Sequence, residues 1–124
     1  MAGVRIPEDL VAWQLAWQLK ERVFAFTARE SVRTDFKFRE QIRSASNSAT
    51  DAICEGFYRY SPRDFARFLG IARGSLGEVK NQLRHARARC YVEEDEVVEM
   101  LSLASRAMAA TTNLQTYLRN CGRK

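Results

Sequence analysis

Ser61-Pro62-Arg63-Asp64-Phe65-Ala66-Arg67-Phe68-Leu69-Gly70, continued by Ile71-Ala72-Arg73-Gly74-Ser75-Leu76-Gly77-Glu78-Val79-Lys80 and Asn81-Gln82-Leu83-Arg84-His85-Ala86-Arg87-Ala88-Arg89-Cys90, carries the clearest structural signal in the chain. Ser61 suits a helix N-cap and Pro62 the first helical position. Asp64, three residues after the cap, can complete a capping-box exchange. Phe65, Phe68, Leu69, Ala72, Leu76, Val79, Leu83, Ala86 and Cys90 then fall on one face at helical spacing. The segment predicts one long amphipathic helix over 62–90.

Working outward, the same period recurs on both sides. Phe38, Ile42, Ala45, Ala49, Ala52 and Gly56 recur at alternating steps of four and three residues and predict a helix over 36–58, capped by Thr34 or Asp35. Its small residues let a neighbour approach closely. Downstream, Cys90-Tyr91-Val92 is a short connection into Glu93-Glu94-Asp95-Glu96, an acidic first turn that suits the positive end of a helix dipole. Met100, Ala104, Ala107, Thr111, Leu114, Leu118 and Cys121 continue that helix over 94–120, followed by a basic tail, Gly122-Arg123-Lys124.

A first helix over 9–29 carries two apolar stripes. One holds Leu10, Trp13, Trp17 and Phe24; the other holds Ala12, Ala16, Leu19, Val23 and Phe26. They lie roughly 130° apart, broader than one bundle core needs. Trp13 and Trp17 therefore read as core or interface anchors, and the surplus arc as a surface for another subunit. Arg29 to Asp35 reads as a polar loop. The expectation is a single all-α domain over 1–124, an up-down-up-down antiparallel four-helix bundle. Phe38, Ile42, Phe68, Ala72, Leu76, Leu83 and Met100 are expected in its core.

Composition narrows the function classes. The 124 residues are 46% hydrophobic, enough for a core in one small domain. No apolar run spans a bilayer, and Met1 to Glu8 lacks the apolar region of a signal peptide, so a cytoplasmic, membrane-free protein is expected. Cys54, Cys90 and Cys121 form neither a disulfide framework nor a zinc pattern, and His85 is the only histidine. No phosphate-binding glycine loop occurs. Helix register separates Glu55 from Glu78 along the bundle, so both are expected to pair with arginines. His85 has no evident acid or nucleophile partner. No catalytic residue, metal ligand or cofactor is expected, and the protein reads as a non-enzyme.

Two features remain. Gly70, Gly74 and Gly77 lie nearly opposite the apolar face of the third helix, where three interior glycines cost about 3 kcal/mol relative to alanine. They read as a smooth face that another helix or a nucleic-acid backbone can approach, against the alternative of a tolerated exposed cluster. Beside them run Arg73, Lys80, Arg84 and Arg87. Residues 61–91 hold seven basic and two acidic side chains, whereas 92–120 hold two basic and five acidic. The net charge of +5 is therefore concentrated on one helix, as a phosphate-binding footprint requires. A solvated helix face is the competing reading.

Leu10-Val11-Ala12-Trp13-Gln14, Gln41-Ile42-Arg43-Ser44-Ala45, Ile53-Cys54-Glu55-Gly56-Phe57, the run Phe68 to Glu78, and Tyr91 occur in that order. The chain in this respect resembles the bacterial four-helix bundle proteins encoded in intervening sequences of 23S ribosomal RNA genes. Glu-Gly-Phe and Gly-Ser-Leu-x-Glu are the most specific blocks. The family's usual Asn-Ile-Ala-Glu-Gly is replaced by Asp51-Ala52-Ile53-Cys54-Glu55-Gly56. The resemblance implies a homo-oligomeric ring, typically a pentamer. It also implies a relation to the accessory variability determinant proteins of diversity-generating retroelements, which bind nucleic acid and a reverse transcriptase. Two functions follow as expectations. One is an RNA- or DNA-binding accessory factor, RNA favoured. The other is a scaffold that recruits a protein partner such as a reverse transcriptase.

Overall fold

The computed structural model describes residues 1–121, and the tail Gly122-Arg123-Lys124 lies outside them. Four helices follow one another: α1 (Val11–Thr27), α2 (Phe36–Phe57), α3 (Pro62–Ala88) and α4 (Glu94–Cys121). Among the described residues there is no strand. Each helix packs on its neighbour in the chain and α1 closes against α4, giving a four-helix bundle.

The seven expected core residues are all buried. Leu19, Val23 and Phe26 of α1 meet Phe38, Ile42 and Ile53 of α2, Leu69, Leu76 and Leu83 of α3, and Val97 of α4 in one cluster. The small seam of α2 admits α3 at its closest at Gly56. A Cβ built there would lie 2.8 Å from Cβ of Phe68 and 2.9 Å from Cδ1 of Phe65. Only hydrogen fits between these helices.

The caps follow local chemistry. Ser61 Oγ accepts from the Asp64 amide at 3.0 Å, with Pro62 at the first helical position. The Asp64 carboxylate does not complete the expected exchange; it turns to Arg67, one turn on, at 3.6 Å. Asp35 caps α2 by accepting from the Phe38 amide at 3.4 Å. Helix α3 stops at Arg89 because Cys90 adopts a left-handed φ of 58°. The Tyr91 amide then reaches back to the Ala86 carbonyl at 2.9 Å and the Cys90 amide to that of Arg87 at 3.1 Å, satisfying carbonyls the helix leaves open.

Two expectations need correction. Helix α1 starts at Val11 rather than residue 9, because Pro7–Asp9 forms a separate 3-10 turn and Leu10 is extended. The Arg29 to Asp35 connection is also less polar than its composition suggests, for Val32 is fully buried and plugs the end of the core.

Gly56→Ala is expected to destabilise the fold by about 2 kcal/mol, because two aromatic residues must move to accept one methyl group. A denaturant titration in which the variant unfolds at the wild-type midpoint would show that this approach can relax.

Candidate nucleic-acid interface

Helix α3 commits one face to the core, and every residue off that face is determined by the same rotation. Arg73, Arg84 and Arg87 are exposed and Lys80 is half-buried, so the four expected contacts do share one face. Their electrostatic states differ. Arg87 donates to both oxygens of Glu94, at 3.1 and 3.0 Å, so the acidic first turn of α4 neutralises it. Among the described residues, Arg73, Lys80 and Arg84 have no carboxylate within ion-pair distance, whereas Arg22, Arg29, Arg59, Arg67 and Arg89 each hold one. Of the four expected contacts, three thus keep their charge unneutralised; Arg63, near the start of α3, is likewise without an ion pair among the described residues.

The glycines lie beside them. Gly70, Gly74 and Gly77, with Arg73, line a groove of about 410 Å³ whose other wall is Met108, Gln115 and Arg119 of α4. Gly70 differs from the other two. A Cβ there would lie 3.3 Å from Nε2 of Gln115, a buried side chain whose amide donates to the Ala66 carbonyl at 2.9 Å. Gly70 therefore makes room for an internal α3–α4 contact. A Cβ on Gly74 or Gly77 would meet nothing within 4 Å, so the subunit's own packing gives no reason for either.

Trp13 packs against the core from its edge, whereas Trp17 lies outside it. Trp13 is half-buried, Trp17 is 37% exposed, and their rings stack with centroids 4.9 Å apart. Lys20 Nζ lies 4.3 Å from the Trp17 centroid, and the Arg43 guanidinium 4.5 Å from that of Phe24. Lys20 of α1 and Arg43 of α2 thus lie against aromatic rings of α1, and cations placed this way stabilise partly exposed rings in water. The signal of the Lys20 contact in the sequence was Trp17, Lys20 and Phe24 at steps of three and four.

Glu55 pairs with Arg59 at 3.0 Å, as expected, while Glu78 is exposed without an ion pair among the described residues. The three cysteines are free, and burial, with Glu8, Asp51 and Glu55 nearby, pushes the Cys54 thiol up. No group of three metal-ligating side chains occurs among the described residues. No helix among them is long and apolar enough to cross a membrane. At the far end of α3, His85 shares a pocket with Asp35, Lys37, Phe38, Gln41, Gln82 and Arg89, a grouping that sequence reasoning missed because two helices and their caps, far apart in the chain, supply it.

The ordered blocks around Gly56 and Gly70–Glu78 now have a structural setting in the α2–α3 contact and the α3 outer face. The model of the 23S rRNA-intervening sequence protein family matches residues 8–113. The chain belongs to that family. No curated protein matches it. The match spans α1, α2, α3 and most of α4, so the exposed face of α3 lies within the family's shared core.

Replacing Gly74 by alanine in the isolated subunit should stabilise it by about 1 kcal/mol, the propensity difference in a helix interior without steric cost. Thermal unfolding at low protein concentration checks this, and a loss of stability there would mean the face is already occupied within the subunit.

Proposed function

We propose that this family member is a homo-oligomeric nucleic-acid-binding accessory factor that holds phosphate groups through Arg73, Lys80 and Arg84. The observation that carries the reading is the set of unneutralised cations beside two glycines with no packing role. On α3 itself, Arg67 and Arg87 have their charge offset by Asp64 and Glu94; these three, spaced along one stripe, leave a field that a polyanion can enter. Arginine suits forked contacts to phosphate oxygens. Arg119, across the groove on α4, adds a fourth cation from outside α3. Arg87 contributes less than its position suggested, because a ligand phosphate must compete with Glu94.

RNA is favoured over DNA by the family's description, which names a ribosomal RNA intervening sequence. Backbone contacts of this kind carry no base information, so binding is largely sequence-independent. The subunit is proposed to act as a cytoplasmic ring, most simply a pentamer, in which repetition of the three-charge stripe multiplies weak contacts. Trp13, Trp17 and the Gly74–Gly77 face are its candidate contact surfaces. A kinship with the accessory proteins of diversity-generating retroelements fits the same picture. The role is binding rather than catalysis. A second reading, a scaffold that recruits a protein such as a reverse transcriptase, is favoured by the exposed Trp17 surface on α1.

Arg73→Glu with Arg84→Glu is expected to leave helical content and sedimentation unchanged while weakening binding to a single-stranded RNA. The slope of log affinity against log salt should flatten by about one for each phosphate that the variant no longer neutralises. Equal binding by the double variant at matched salt would reduce the stripe to a solvated face and leave the scaffold reading. Sedimentation of a 14.2 kDa species at micromolar concentration would remove the ring.

A further inference from the structure

The pocket at the far end of the α2–α3 interface differs from the α3 stripe. It encloses about 370 Å³ between the first turns of α2 and the last turns of α3, lined by Asp35, Lys37, Phe38, Gln41, Gln82, His85 and Arg89. Three of these are cationic or protonatable nitrogen donors, and they arrive from two different helices. Its one carboxylate is already engaged: Asp35 accepts from the Tyr91 hydroxyl at 2.6 Å, the Arg89 guanidinium at 3.2 Å and the Phe38 amide at 3.4 Å. The Tyr91 hydrogen bond, foremost among these, holds Asp35 below the usual carboxylate range.

Arg89 spends one of its five N–H groups on this contact and is fixed by it, with the rest of the fork unspent. Lys37 has no ion-pair partner among the described residues, and the amides of Gln41 and Gln82 meet only at 3.5 Å, a contact long enough to open. The buried Phe38 ring closes the site on the core side. Nitrogen donors lining a space larger than one anion from both helices suit a tetrahedral group with several acceptor oxygens.

We infer that this pocket binds a phosphate monoester, held by Lys37, His85 and Arg89 with the two glutamine amides. The ester's substituent occupies the remaining volume and leaves through the open side. Two sources share that chemistry, a free mononucleotide and the 5′-phosphorylated end of an RNA strand. The stripe would follow a strand's backbone; this pocket recognises a terminus or a nucleotide, and it does not require the stripe reading to hold.

His85 is the only histidine, so its imidazole resonances report on the pocket without assignment of the rest of the chain. Inorganic phosphate, titrated at fixed pH and matched ionic strength against a chloride control, should shift them saturably. Adenosine monophosphate should do so more strongly if the source is a nucleotide. The same oligoribonucleotide should bind about tenfold more tightly with a 5′-phosphate than with a 5′-hydroxyl if the source is a strand end. Lys37→Ala, made alone so that His85 remains the reporter, should weaken the phosphate shift. Lys37→Ala with His85→Ala should bring any 5′-phosphate preference below about twofold. All these substitutions are at exposed positions, and Arg89 is left in place because it also supports Asp35. Arg73→Glu with Arg84→Glu should weaken both oligonucleotides equally and leave the phosphate titration unchanged, which separates failure of the stripe from failure of the pocket. A phosphate response no larger than chloride's, or one that Lys37→Ala leaves intact, would overturn the proposal.

Discussion

The close contact of α2 with α3 at Gly56 is the constraint on which the rest of the molecule depends. No Cβ can be placed there without moving Phe65 and Phe68, so the two helices meet nearly backbone to side chain. The contact sets the rotation of α3 about its own axis. Leu69, Ala72, Leu76, Val79 and Leu83 then lie against the core, each completely buried. A helix has only one way round: once that face is inward, Arg73, Gly74, Gly77 and Arg84 are outward. The exposed surface of α3 is thus a consequence of how its buried surface is seated.

At the opposite end, a different kind of interaction does the fastening. Asp35 receives hydrogen bonds from the start of α2 and from the turn after α3, while Phe38 packs against both Phe26 and Tyr91. A single carboxylate thereby ties the α1–α2 connection to the α3–α4 connection. Arg29 joins Glu96 nearby, and that hydrogen bond holds the Glu96 carboxyl down to about 2. Both partners are substantially exposed, so the contribution to stability is modest and screened by salt. Their larger effect is on charge distribution. By pairing with local acids, Arg29, Arg87 and Arg89 leave this end less positive than its composition, and the unneutralised charge of the α3 stripe falls on Arg73, Lys80 and Arg84.

The outer surfaces separate into two chemistries. On α1, the rings of Trp17 and Phe24 face Lys20 of the same helix and Arg43 of α2. On α3, glycines and arginines adjoin a groove bordered by Met108 and Arg119 of α4. The first surface carries stacked aromatic rings, the second positive charge. The proposed ring contact and the proposed polyanion contact adjoin on α3 at Gly74 and Gly77, whereas the α1 surface is free of that overlap.

Helix number, extent and inward faces could be read from spacing alone, because 3.6-residue periodicity and the Ser61-Pro62 start signal are local and each helix buries one stripe. The starts of α2 and α3 and all seven expected core residues were accessible in this way; the expected end of α3 at residue 90 was not, because Cys90 leaves the helix at a left-handed φ and is exposed. The shared face of Arg73, Lys80, Arg84 and Arg87 was accessible too. What spacing could not supply was anything set by a partner from elsewhere in the chain. Arg87 is neutralised by Glu94 across a turn, Gly70 yields space to Gln115 of another helix, Val32 enters the core from a polar loop, and His85 shares a pocket with Lys37 only because α2 and α3 run antiparallel. Periodicity records which way a side chain faces; whether it then meets a carboxylate, an amide or open water is decided by the helix packed beside it.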